Sequence, residues 1–201
     1  MIGLVVFALT GALVAARKGM DPFGFMLLAT VTGVGGGALR DMLLGVPVSW
    51  IVAPAPLLIC VATGAATYAV GRLVPGFVPL LERRHTLLWA DAAGLAIFAV
   101  TGAERALSVG AHWATAIALG AMTATFGGVV RDVLAGDTPL ILHREIYVTA
   151  AALGAAVVVA LRASGFDPGL AQAAAIAAGF GLRALAIALD WSLPGFPRAP
   201  D

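Results

Sequence analysis

The sequence predicts an all-α membrane protein: seven transmembrane helices, arranged as an inverted repeat of three plus three with one C-terminal helix appended. Three observations predict it. Of 201 residues 61% are hydrophobic and only 11% charged, and mean hydropathy is +0.99, whereas a soluble domain carries about 25% charged residues. Apolar stretches long enough to cross a bilayer recur along the chain, and seven spans of about 20 residues leave no room for a separate soluble domain. The third observation is a self-similarity of the chain at an offset of 91 residues.

The first span runs from Ile2 to Ala16 and ends at Arg17-Lys18. A secretory leader places its positive charges ahead of the apolar core, so this segment reads as a retained helix. The second covers Phe23 to Leu44 and is interrupted at Gly33-Val34-Gly35-Gly36-Gly37, where low helix propensity predicts a break or kink. Pro47 and Pro54-Ala55-Pro56 signal turns before a third span at Leu57 to Val74. A polar loop at 75–86 carries Glu82, Arg83, Arg84 and His85, and further spans are expected at 87–107, 113–135, 146–162 and 169–189. These limits place the first repeat at 1–80, the second at 87–165, the seventh helix at 169–190 and an irregular tail at 191–201. Arg17, Lys18, Arg72, Arg83, Arg84, Arg144 and Arg198 fall on one side and Arg105 and Arg162 on the other. Positive charge concentrates in the cytoplasm, which puts the N-terminus outside and the C-terminus inside.

At the offset of 91, Gly3-Leu-Val-Val-Phe-Ala-Leu-Thr-Gly-Ala12 aligns with Gly94-Leu-Ala-Ile-Phe-Ala-Val-Thr-Gly-Ala103, identical at seven of ten positions. Gly36-Gly-Ala-Leu-Arg-Asp-Met-Leu-Leu-Gly45 aligns with Gly127-Gly-Val-Val-Arg-Asp-Val-Leu-Ala-Gly136, identical at six of ten. Three spans separate the copies, so the second crosses the membrane in the opposite sense. Inverted repeats of this kind place a transport pathway near the midplane between the two halves.

Chemistry is expected where polar residues recur. Arg40-Asp41 and Arg131-Asp132 lie inside apolar sequence, where each unpaired charge costs about 2.5 to 3.5 kcal/mol. Neighbouring helical positions diverge by about 100°, so the expected arrangement is a cross-repeat pairing of Arg40 with Asp132 and Arg131 with Asp41; bracing of the span ends is the alternative. Gly35, Gly36, Gly37, Gly127 and Gly128 can expose carbonyls to a cation at a helix break. They can equally serve close packing, as the Gly33-x-x-x-Gly37 spacing allows. Thr10 and Thr101 hold matching positions and either bond back to their own helix or line a polar path. Asp91 reads as a complement to a helix N-terminus, Glu104-Arg105 has no counterpart in the first copy, and Arg183 and Asp190 are expected to snorkel to the surface. His85, His112 and His143 fall in loops and Cys60 stands alone, so neither a metal site nor a disulfide is predicted, and no cofactor. A net charge of +1 with no basic run argues against a nucleic-acid partner.

The paired Gly-Gly-x-x-Arg-Asp-x-Leu-x-Gly segments, followed by Pro47 and Pro139, closely resemble those of the bacterial TRIC family, the trimeric intracellular cation channels, whose repeat also carries a glycine-transporter-like domain name. The resemblance covers Ile2 to Leu189. It implies seven helices, a homotrimer, and one potassium-permeable pore per protomer, gated around the glycine-kinked second and fifth spans and surrounded by the glycines, arginines and aspartates of the two motifs. The second copy departs from it by reading Phe126-Gly127-Gly128. The expectation is a monovalent cation channel of a bacterial cytoplasmic membrane that catalyses no covalent chemistry, with a secondary transporter of a small solute such as glycine as the alternative.

Overall fold

Long apolar segments in lipid have to satisfy their backbone groups without water, which a helix does within the segment itself. The computed structural model describes residues 1–74, 76–77, 84–142 and 146–192. It contains α1 (Ile2–Arg17), α2 (Pro22–Leu43), a single-turn α3 (Ser49–Val52), α4 (Ala55–Leu73), α5 (Arg84–Ser108), α6 (Trp113–Leu134), α7 (Val148–Ala163) and α8 (Pro168–Ala188). A 3₁₀ turn at Leu140–Leu142 precedes α7. Five of these helices have the length and composition of a membrane span, and α1 and α7 are shorter apolar helices. Residues 78–83 of the polar loop, with Glu82 and Arg83, lie outside the described residues, as do the side chains of Arg84 and His85, the segment 143–145 with His143 and Arg144, and the tail from 193 with Arg198.

Local chemistry sets the ends. Asp21 caps α2 by accepting from the Gly24 N–H at 2.8 Å, with Pro22 at the first helical position. Asp167 does the same for α8 with Leu170 N–H at 3.0 Å. At the other end of α2, Gly45 takes a φ of 66°. It donates to the Met42 carbonyl while Val46 donates to that of Asp41, the paired bonds of a Schellman ending. Ninety-one residues on, Gly136 at 71° and Asp137 repeat the arrangement on α6.

α1, α2 and α4 pack on one another around Leu4, Phe25, Leu28 and Cys60. α5, α6 and α7, with α8 against them, enclose Val100, Leu119, Val158 and Ala175. Large apolar side chains such as Phe23, Leu27, Leu58 and Leu185 stay exposed on the outside, as a lipid-facing surface requires.

The two groups meet along α1–α5 and α2–α6. Phe7 stacks on Phe98, its own counterpart, with ring centroids 4.9 Å apart. Gly3 faces Ile97 and Gly94 faces Phe7. At the other crossing a Cβ on Gly36 would strike the Thr123 carbonyl, and one on Gly127 would strike that of Thr32, where Thr32 and Thr123 are again counterparts. A contact of the form 36 with 123 and 32 with 127 occurs only between helices running in opposite senses. α2 and α6 are therefore antiparallel.

The glycines do not break α2. Helix continues through Gly33–Gly37 and through Gly127–Gly128 of α6, so no carbonyls are released there by a break. Contacts across the crossing stabilise the helical form enough to outweigh the roughly 1 kcal/mol that each glycine costs in propensity. The absent side chains are used instead for close backbone approach.

Candidate functional site

Each Arg–Asp pair stands near the C-terminal end of its helix, one turn past the glycine contact. The side chains do not pair across the repeats as expected. Arg40 donates from Nε and Nη2 to Oδ1 of Asp41, at 3.0 and 2.7 Å, and Arg131 donates from Nε to Oδ1 of Asp132 at 2.7 Å. Although neighbouring helical positions diverge by about 100°, the arginine stem is long enough to fold its guanidinium back over the adjoining residue. The second carboxylate oxygens are used locally as well. Oδ2 of Asp41 accepts from the Ser49 N–H at 3.0 Å and Oδ2 of Asp132 from the Leu140 N–H at 3.3 Å. Each aspartate thereby anchors the short turn that follows its helix.

From here the two sites diverge. Nη1 of Arg131 donates to Oδ1 of Asp91 at 3.2 Å and to Oγ1 of Thr10 at 3.1 Å. Thr10 in turn donates to the Phe7 carbonyl at 2.8 Å. Arg131 is 1% exposed and Asp91 2%, and Tyr147, fully enclosed, closes over Gly128 beside them. The guanidinium thus joins α1 to α5 and α6. Arg40 makes its bonds to Asp41 alone among the described residues. Charge-assisted bonds of this kind are about twice as strong as neutral ones, so the second site is the firmly held one and the first the looser.

Asp91 and Arg183 lie elsewhere than their sequence positions suggest. Asp91 does not open its helix: α5 starts at Arg84, which moves Asp91 into the interior, where it becomes the partner of Arg131. Its significance was invisible in the repeat comparison because the offset pairs it with nothing. Arg183 does not snorkel; it is 2% exposed and its guanidinium lies 5.4 Å from the centroid of the Tyr147 ring. Thr101 is exposed and donates to the Ile97 carbonyl at 2.9 Å, apart from the ionic site. Thr10 alone of the matched pair reaches an arginine. A Cβ on Gly35 or Gly37 would make only ordinary van der Waals contact beside the crossing, with the Gly127 Cα at 3.9 Å and Nη2 of Arg40 at 3.8 Å respectively.

The pairing geometry makes a measurable difference. Losses of thermal stability in Arg40→Ala and Asp132→Ala are expected to add in the double variant, within about 0.5 kcal/mol. Arg131→Ala and Asp91→Ala are expected to be strongly non-additive, because the first loss already orphans the second group.

Fold and site together define a polytopic helical membrane protein whose two halves cross through paired glycine and Arg–Asp helices. The protein family described as Glycine transporter matches it twice, over residues 1–72 and 88–163. A TRIC trimeric intracellular cation channel orthologue from Rhodobacter sphaeroides is 51% identical, with 94% of this chain and 95% of that chain covered and a TM-score of 0.86. A UPF0126 membrane protein of Vibrio cholerae is 38% identical over 98% of this chain and 80% of its own length. The UPF0126 inner membrane protein YadS of Escherichia coli is 39% identical over 77% of this chain and 72% of its own. The chain belongs to the bacterial TRIC family.

Proposed function

We propose that this protein is a potassium-permeable, monovalent cation channel whose path runs through each protomer at the α2–α6 crossing, with gating by movement of those two helices. The observation that carries the reading is the antiparallel crossing itself, with a buried Arg–Asp pair beside each glycine contact. Buried ionic groups in a membrane interior are costly and serve transport in most settings where they occur. Each guanidinium is neutralised by its own neighbour, so the crossing presents no bare positive charge to repel a cation. Backbone contact at Gly36 and Gly127 shuts the crossing, and conduction requires α2 and α6 to part there.

The remaining features follow the same reading. The chain forms seven spans as an inverted three-plus-three repeat with α8 appended, assembles as a homotrimer, and lies in a bacterial cytoplasmic membrane with its N-terminus outside. The related Rhodobacter protein is described as a trimeric cation channel, which supports both the activity and the assembly. Purified protein in planar bilayers under a potassium gradient is expected to give discrete current steps. Absence of steps together with saturable, coupled uptake of glycine into vesicles would instead establish a secondary transporter.

A further inference from the structure

Away from the crossing, the ends of α5, α6 and α7 frame a cleft of about 380 Å³ lined by Glu104, Leu107, Trp113, Val159 and Arg162. Its polar residues are not inherited from the repeat. Glu104 stands where the first copy has Leu13, and Trp113 where it has Pro22. Nothing in the duplicated framework calls for a carboxylate at this place. Glu104 is half-buried one turn before α5 ends, and Nε2 of Gln172 on α8 donates to its Oε2. That bond fixes the carboxylate's orientation. Arg162 is exposed in the last turn of α7, and Trp113 is exposed at the first position of α6. A tryptophan and an arginine at helix ends mark the headgroup level of a bilayer, so the cleft opens where phospholipid headgroups lie.

We propose that this cleft binds one phosphatidylethanolamine molecule from the surrounding membrane. The Arg162 guanidinium matches the phosphodiester, to which it can donate two parallel bonds. The oriented Glu104 carboxylate accepts from the primary ammonium, and Leu107 and Val159 cover the start of the acyl chains. The two charges together set the specificity. Phosphatidylglycerol offers Glu104 no cation, and the trimethylammonium of phosphatidylcholine has no N–H to donate. The site is separate from the ionic crossing and does not depend on the proposed channel activity.

The test is native mass spectrometry of the delipidated protein in detergent with equal amounts of phosphatidylethanolamine and phosphatidylglycerol, alongside soluble glycerophosphoethanolamine. Phosphatidylethanolamine is expected to bind preferentially, and Arg162→Gln and Glu104→Gln each to weaken it about fivefold, as expected for loss of one partly exposed charge pair. Arg162 is exposed, so its variant keeps the wild-type melting temperature without lipid and reports binding alone. Equal binding of phosphatidylglycerol, or an unchanged affinity in Arg162→Gln, overturns the proposal. Equal binding of the soluble headgroup overturns the assignment to a membrane lipid, and failure of phosphatidylethanolamine to bind the native assembly overturns the proposal.

Discussion

Arg131→Met is expected to destabilise the protein by about 3 to 5 kcal/mol, the usual consequence of removing one member of a buried ionic group. The substitution keeps the volume of the stem but strips Asp91 and Asp132 of their shared cation, leaving two carboxylates in an apolar interior. It also removes the Thr10 bond through which α1 is held to α6. Arg40→Met serves as the comparison. Asp41 keeps its bond from the Ser49 N–H, one partner rather than three is lost, and a cost of about 2 kcal/mol is expected. Thermal unfolding in detergent, followed by loss of the monodisperse species, measures both. Similar costs for the two variants would show that the sites are equivalent and that the extra bonds of Arg131 contribute nothing.

The second large effect is expected at the glycine crossing. Gly36→Ala and Gly127→Ala each place a methyl group into the backbone of the opposing helix, an obstruction that only displacement of α2 from α6 relieves. Overpacking costs about 1 to 3 kcal/mol when side chains can yield, and a carbonyl group yields less. Gly35→Ala and Gly37→Ala meet nothing closer than 3.8 Å and are expected to be neutral, or more stable by up to about 1 kcal/mol through helix propensity. The contrast between adjacent positions of one glycine run separates packing from flexibility. Were all four glycines to respond alike, their conformational freedom, rather than close approach, would be what the protein uses.

How far the sequence reveals this arrangement depends on whether a feature is repeated. The offset of 91 locates Gly36, Arg40 and Asp41 together with Gly127, Arg131 and Asp132, because identical polar residues in register stand out against an apolar background. The composition exposes the membrane helices for the same reason. What periodicity cannot show is which partner a long side chain selects. Arg40 and Asp41 are adjacent in sequence and turn out to bond each other, although their Cβ directions diverge. Asp91 reads from the sequence only as a helix-end charge, since it belongs to one copy and nothing in the repeat pairs it with Arg131. The glycine run is ambiguous on propensity alone, for the penalty of about 1 kcal/mol per glycine is opposed by packing that only the opposing helix supplies. Thr10 and Thr101 share a motif position but not a role: Thr10 faces the ionic core and Thr101 the outside, a difference set by how α1 and α5 rotate against their neighbours.

Modification of a cysteine at Gly35 tests the central claim most directly. A Cβ on Gly35 would sit in ordinary van der Waals contact 3.9 Å from the Gly127 Cα, so Gly35→Cys in a Cys60→Ala background sets a single thiol at the α2–α6 crossing. In planar bilayers carrying potassium current, a positively charged methanethiosulfonate reagent is expected to reduce the current of each protomer as it reacts. Full labelling, verified by mass spectrometry, with single-channel current unchanged would contradict an ion path between these two helices.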